Sequence, residues 1–286
     1  PKPQNMSSAL YISDLDGTLL RPDGTLSLSS RDELNRLIAD GLHFTVATAR
    51  SVASIRHLLA GLDLRLPVVN LNGALLSDVS SGRHQSVQTI APEIAAVVYE
   101  QIRATGQYPF ISTCGSHGDA LYYSRVENAG MQWFVNDRLD AGDGRLQLIE
   151  DLRSALCEQV LAFTVIVQQP TLLQGLQTAL EERCPGLLQM YIFPNSYSQT
   201  GDIWLTISHA RATKDRAIRW LLAWGDYRVE DLTVFGDGDN DVGMFELAPH
   251  AVATANATER LRNLATAIIG PNSEDSVVRY LTDLMR

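Results

Sequence analysis

Asp14 and Asp16 stand one residue apart at the end of a short apolar run, Leu10-Tyr11-Ile12, and Gly17 and Thr18 follow at once. Such a run reads as a buried strand that stops at the first carboxylate. Carboxylates at i and i+2 share one face of a continuing strand, whereas a turn at the glycine converges them on one point. Two ionised carboxylates about 4 Å apart repel by roughly 4 kcal/mol at an effective dielectric of about 20, so burying them together demands a cation or a shared proton. The stretch therefore suggests a metal-binding, acid-bearing site at the C-terminal end of a strand. Taken alone, a polar loop with two solvated aspartates explains it equally well. A second acidic run, Asp237-Gly238-Asp239-Asn240-Asp241, follows a buried strand over 232–235 and carries the same two readings, solvated turn or metal site.

The elements that must position these groups follow a regular rhythm. Pro22-Asp23-Gly24 marks a turn, and a helix with Ser30 as N-cap and Glu33 in the capping-box position presents Leu34, Leu37 and Ile38 and ends at Gly41. A strand from His43 ends in Thr48-Ala49-Arg50, a helix runs over 51–59, and a third strand ends in Asn72-Gly73. Strand and helix alternating at this spacing predict a parallel sheet with helical crossovers, and working residues then gather outside the C-terminal strand ends. Asp14, Thr48 and Asn72 occupy such ends.

The rhythm breaks after that. A hairpin about Ser80-Ser81-Gly82 leads into helices at 92–104, 126–139 and 171–183, interleaved with strands at 108–113, 120–124, 161–167, 187–193 and 202–207. This mixture reads as an inserted α+β domain, with Met131, Trp133 and Phe134 in its core. The parallel pattern resumes with an amphipathic helix at 213–224, strands at 232–235, 251–253 and 267–269, a helix from Thr258, and a closing helix capped by Ser273. The organisation expected is a core of residues 1–83 and 205–286 interrupted by a domain at 84–204.

Composition narrows the function classes. A hydrophobic share of 45% and a charged share of 20% are those of an ordinary globular protein. The formal net charge of −10, with no basic run, argues against a nucleic-acid partner and suits a protein that holds a divalent cation. No apolar run approaches the roughly 20 residues that span a bilayer, so no membrane role is expected. Pro1 to Ser8 lacks the apolar core of a signal peptide, and Cys114, Cys157 and Cys184 are too few and scattered for a disulfide framework or a zinc site. These features point to the cytoplasm.

Four features in order resemble the haloacid dehalogenase superfamily: Asp14-x-Asp16-Gly17-Thr18, Thr48 with Arg50, Lys214 at a helix start, and Gly236-Asp237-x-x-Asn240-Asp241. The large insertion after the third strand, with Asn72-Gly73-Ala74 and Asn256-Ala257, is similar to the Cof-type branch, whose insertion is a type IIB cap. Ala49, Ala212-Thr213 and Glu274-Asp275-Ser276 depart mildly from the usual pattern. The resemblance implies a Rossmann-like α/β core with an inserted α+β cap, and a Mg²⁺-dependent phosphatase of small phosphorylated metabolites. It implies Asp14 as nucleophile and Asp16 as general acid and base, a role that needs a pKa raised towards neutrality. Mg²⁺ would be held by Asp14, Asp237 and a contact at Asp16, with Asp241 a further acid or metal contact. Thr48, Lys214 and Asn240 would face the phosphoryl oxygens, assisted by backbone N–H groups at Leu15, Asp16 and Ala49. Arg50, Asn72 and His117 are candidate substrate contacts, each with a structural alternative.

The rival from another class is a receiver module of phospho-signalling, which also sets acids, a threonine and a lysine on a parallel sheet. A receiver has no use for a large inserted lid, whereas an enzyme excluding water from a phosphoryl intermediate has. A phosphomutase and a non-catalytic phosphosugar sensor share the core and stay open. Sequence alone specifies neither the ester nor the oligomeric state.

Overall fold

The computed structural model describes residues 9–115, 118–195, 197–198 and 200–286. In chain order the elements are β1 (Leu10–Ser13), α1 (Leu28–Ala39), β2 (His43–Val46), α2 (Val52–Leu58), β3 (Val68–Asn70), β4 (Leu75–Ser77) and β5 (His84–Val87). Next come α3 (Pro92–Ala104), β6 (Phe110–Gly115), β7 (Gly118–Tyr123), α4 (Ala129–Asp140), β8 (Leu146–Leu148), β9 (Gln159–Val167), α5 (Pro170–Arg183), β10 (Leu188–Pro194) and β11 (Ile203–His209). The last are α6 (Lys214–Gly225), β12 (Leu232–Gly236), α7 (Val242–Leu247), β13 (His250–Thr254), α8 (Glu259–Leu264), β14 (Ala267–Ile269) and α9 (Ser276–Leu284). Two compact units result, one of residues up to Ser86 and from Thr213 onward, the other Val87–Ala212.

The first unit is a parallel sheet in the order β14-β13-β12-β1-β2. β1 lies centrally, with Leu10 opposite both Leu232 of β12 and His43 of β2. Its side chains alternate between two cores, as a parallel strand buried on both faces requires. Leu10 and Ile12 pack with Ile218 and Leu221 of α6 and with Met244 and Phe245 of α7. Tyr11 packs with Leu34 and Leu37 of α1, Ile55 of α2 and Leu281 of α9. The parallel run continues past β2 through a bridge between Ala47 and Val69. β3, β4 and β5 form a separate three-stranded sheet.

The second unit is a six-stranded sheet in the order β10-β11-β9-β6-β7-β8. Its pairs are antiparallel apart from the parallel β7 and β8. α3 and α5 cover one face through Val98, Ile102, Leu176 and Leu180. α4 places Met131, Phe134 and Val135 against Phe110 and Ile166 on the other. Trp133 is half-buried, its ring 6.1 Å from that of Trp204. The result is α/β with an inserted α+β unit.

Several local expectations are corrected. α1 starts a turn earlier than Ser30: Ser27 is the N-cap and its Oγ accepts the Ser30 N–H at 3.0 Å. Glu33 is held by Arg36 and by Thr282 of α9 instead of closing a capping box. α9 is entered from Asp275 in the left-handed conformation and not from Ser273. β11 pairs with β9 and β10 along its length, so the inserted unit extends past 204 to Ala212. β8 and the six-residue α7 carry no strong periodicity in sequence and were not foreseen. No helix among the described residues is long and apolar enough to cross a membrane.

Candidate active site

Three strand ends meet beside β1. The Asp14 N–H still donates to Phe235 O at 2.9 Å, so the aspartate is pinned where β1 leaves the sheet. The chain then turns, with Leu20 N–H closing on Leu15 O at 2.8 Å. Gly17 takes φ +76° in that turn, and a Cβ there would lie 2.6 Å from Asp237 Cγ, so glycine lets the two acidic segments approach. Thr18 Oγ1 donates to Asp237 Oδ1 at 2.9 Å and links the segments directly. The Gly17 carbonyl is held in turn by Asn256 Nδ2 at 2.8 Å.

Lys214, the first residue of α6, is 1% exposed. Its Nζ donates to Asp14 Oδ1 and to Asp241 Oδ1, both at 2.6 Å. Asp241 is fully buried, and its Oδ2 accepts the N–H groups of Asp237 (2.9 Å) and Gly238 (3.0 Å). Asp241 thus closes its own loop and anchors the lysine at once. Oxygen atoms of Asp14, Asp237 and Asp241 lie within 4.8 Å of one another, an acidic cluster able to hold a cation.

Burial pushes the Asp14 carboxyl well above the ordinary range; Lys214 opposes this and the charges of Asp241, Asp237 and Asp16 reinforce it. Burial, with the charge of Asp241, raises Asp237 to about 7 against the Thr18 hydrogen bond. For Lys214, burial favours the neutral amine, but Asp14 and Asp241 overcome it and hold the ammonium above its usual pKa. Two carboxyls, Asp14 and Asp237, raised by burial and then by neighbouring negative charge are what a bound cation would relieve.

Asp16 faces a different partner. Arg50 Nε lies 2.8 Å from its Oδ2, and Nη2 lies 2.7 Å from its Oδ1, a forked ion pair with Ser54 steadying the guanidinium at 3.2 Å. Thr48 is fully buried one strand over, and its Oγ1 accepts the Arg50 N–H at 3.2 Å. Leu15 and Ala49 lie on the two strand-end turns that carry these groups. Asn240 Nδ2 donates to Asn72 Oδ1 at 3.0 Å, joining the acidic loop to the end of β3.

Asp14, Asp237, Asp241, Lys214 and Thr18 therefore form one connected group, while Asp16 with Arg50 and Asn240 with Asn72 form two flanking pairs. His117 lies outside the described residues. Thr18 as the support of Asp237, and Asn256 as the brace of the first turn, were not foreseen in these roles. Their signal in sequence was a hydroxyl beside a glycine turn and an asparagine near a strand end.

This class of architecture has known relatives. The family described as haloacid dehalogenase-like hydrolase matches residues 11–281, and the chain belongs to it. It is 26% identical over 285 residues, covering 96% of each chain, to the 5-amino-6-(5-phospho-D-ribitylamino)uracil phosphatase YitU of Bacillus subtilis. It is 24% identical to the pyridoxal phosphate phosphatase YbhA of Escherichia coli, covering 96% of this chain and 98% of that one. A haloacid dehalogenase-like hydrolase from Bacteroides thetaiotaomicron shares the fold, with a TM-score of 0.80 at 20% identity over 96% of this chain and 99% of the other.

Proposed function

We propose that the chain is a Mg²⁺-dependent phosphatase of small phosphate monoesters that works through an aspartyl phosphate on Asp14. The observation that carries this reading is Lys214, a buried cation that grips the strand-end Asp14 beside two further acids. The three carboxylates are hard oxygen donors, a set that suits Mg²⁺ with waters completing its shell. When bound, Mg²⁺ would neutralise charge among the acids and on the phosphoryl group.

Asp14 Oδ attacks phosphorus as the bond to the leaving oxygen breaks. Asp16, once parted from Arg50 and protonated from solvent, delivers that proton to the leaving oxygen. Asp16 then takes a proton from water, the water oxygen attacks phosphorus, and Asp14 is released as a carboxylate with free phosphate. Lys214 steadies the Asp14 oxygen that does not attack and, with Thr48 and Asn240, balances the charge of the phosphoryl oxygens. The inserted unit, Val87–Ala212, would select the ester. The relatives' names support metabolite-sized substrates with a nitrogen heterocycle, and the net charge of −10 supports a soluble ester over a nucleic acid. Three free cysteines are in keeping with a reducing, cytoplasmic setting.

The test is phosphate release from a panel of sugar phosphates, pyridoxal phosphate and the phosphoribitylamino-uracil, with and without Mg²⁺. Asp14→Asn should abolish release while keeping the melting temperature near that of the native protein. Retention of a substantial fraction of activity by this variant would remove Asp14 from the nucleophile's place.

A further inference from the structure

The segment Leu71-Asn72-Gly73 stands out within the first unit by its backbone. All three residues have positive φ, at +49°, +53° and +99°, and two of them are not glycine. Side chains rarely tolerate this conformation, least of all a leucine, and such outliers persist only where the surroundings enforce them. The enforcing contacts run to the Thr48–Arg50 turn and to the residue before Lys214. Leu71 N–H donates to Arg50 O and Asn72 N–H to Thr48 O, both at 2.9 Å. A Cβ on Gly73 would overlap the Thr213 carbonyl, which accepts the Ala217 N–H in the first turn of the helix that starts with Lys214.

The Asn72 side chain adds a second anomaly. It is 1% exposed, its Oδ1 accepts from Asn240 Nδ2 at 3.0 Å, and its own Nδ2 is buried with no partner among the described residues. A buried amide with half its capacity unused is retained at a cost, and a core position would be better served by an apolar side chain. Strained backbone and an unsatisfied donor thus coincide at the residue that touches Asn240.

We propose that Leu71–Gly73 is the positioning element of the site, and that Asn72 sets the orientation of Asn240 through the Oδ1···Nδ2 hydrogen bond. This rests on the phosphoryl-transfer reading above, since Asn240 is oriented for a phosphoryl oxygen. An Asn240 amide free to rotate presents donor and acceptor to that oxygen about equally, whereas one fixed by Asn72 presents a single arrangement. Asn72 is a positioning residue here and acts through its neighbour.

The experiment is a double-mutant cycle on Asn72→Gly and Asn240→Ala, because glycine keeps the left-handed backbone and removes only the amide. The readouts are kcat and KM for one turned-over ester and the affinity for orthovanadate with Mg²⁺ present. Each single change should lower kcat about tenfold with little change in KM, the worth of one charge-directed hydrogen bond, and the double variant should equal Asn240→Ala alone. Orthovanadate affinity should follow the same pattern. Asn72→Asp, which retains an acceptor oxygen and tolerates the backbone, should cost the same factor with or without Asn240.

A cost of Asn72→Gly that persists undiminished in the Asn240→Ala background overturns the proposal, as does an Asn72→Gly protein that fails to fold. If the native protein hydrolyses no ester yet the vanadate cycle closes as described, the phosphatase reading falls and the positioning stands. If it neither turns over an ester nor binds orthovanadate, the positioning falls too.

Discussion

Replacing Lys214 by methionine keeps most of the length of the side chain and removes the charge that offsets the two buried carboxylates it touches. Lys214 Nζ sits 2.6 Å from Asp14 Oδ1 and 2.6 Å from Asp241 Oδ1, with all three side chains at 7% exposure or less. Oxygens of Asp14, Asp237 and Asp241 fall within 4.8 Å of one another. At that distance and an effective dielectric of about 20, each pair of ionised groups repels by about 3.5 kcal/mol. Breaking a buried pair by deleting one partner costs about 3–5 kcal/mol once protonation and relaxation relieve part of this. For a unit of this size that is a fall in melting temperature of roughly 6–20 °C. The loss should depend on pH in a defined direction. The folded-state pKa of Lys214 is raised, so its stabilisation is complete below the ordinary lysine value of 10.5 and constant between about pH 5 and 8. Without the lysine, Asp14 rises further above its ordinary range, and a carboxyl raised in the folded state favours folding at low pH and loses that as pH increases. The gap between native and Lys214→Met proteins should therefore narrow as pH falls from about 8 to 5. Scanning calorimetry in chelator across that range measures it. A variant that melts within about 2 °C of the native protein at pH 8, or a gap that widens on acidification, refutes the buried-pair account.

Three further outcomes follow from the same geometry. Burial and the charge of Asp241 raise Asp237 to about 7, and a protonated carboxyl is a poor ligand, so Mg²⁺ affinity measured by calorimetry should rise between pH 6 and 8; a flat affinity would remove Asp237 from the ligands. Gly17→Ala drives a Cβ into the Asp237 carboxylate from a residue at φ +76°, so turnover should fall by at least about tenfold with weaker Mg²⁺ binding, and unchanged kinetics would show that the turn has room to spare. Asp16→Asn removes the proton donor that Arg50 otherwise holds, and loss of a general acid should slow alkyl phosphates at least about tenfold more than p-nitrophenyl phosphate, whose leaving group needs no proton; equal losses on both would take Asp16 out of the acid's role.

Much of the parallel unit was legible because its strands are short apolar runs that end abruptly in polar residues, a pattern made by burial on both faces. Asp14, Thr48 and Asp237 could be placed at strand ends from that pattern alone. What could not be read depends on partners distant in the chain. Ser30-Glu33 looks like a capping box, yet Glu33 is claimed by Arg36 and by Thr282 from the last helix, and Ser27 caps α1 instead. In sequence Asp241 reads as a metal contact or a supporting acid; its hold on Lys214 and on two loop amides emerges only when α6 is docked beside β12. Arg50 could have faced a ligand or a brace, and the forked contact with Asp16, 34 residues earlier, is a fact of tertiary packing. The strand at 202–207 reads in sequence as part of the inserted domain, yet the boundary at 204 cuts through it, because an apolar strand carries no mark of where its unit ends.

The sheet order β14-β13-β12-β1-β2 has a consequence for synthesis on the ribosome. β1 is made before the inserted unit, but its neighbour β12 begins at Leu232, after the whole of that unit has been translated. The inserted unit is contiguous and holds its own two cores, so it has all the contacts it needs while the chain is still growing. The catalytic sheet does not: one edge of β1 stays unpaired, and Asp14 has neither Lys214 nor Asp241, until the C-terminal third emerges. A nascent chain therefore carries an open strand edge from the emergence of β1 to that of β12, a natural point of engagement for a holding chaperone. Until then the acidic cluster of Asp14, Asp237 and Asp241 does not exist, because two of its three carboxylates follow the inserted unit in the chain.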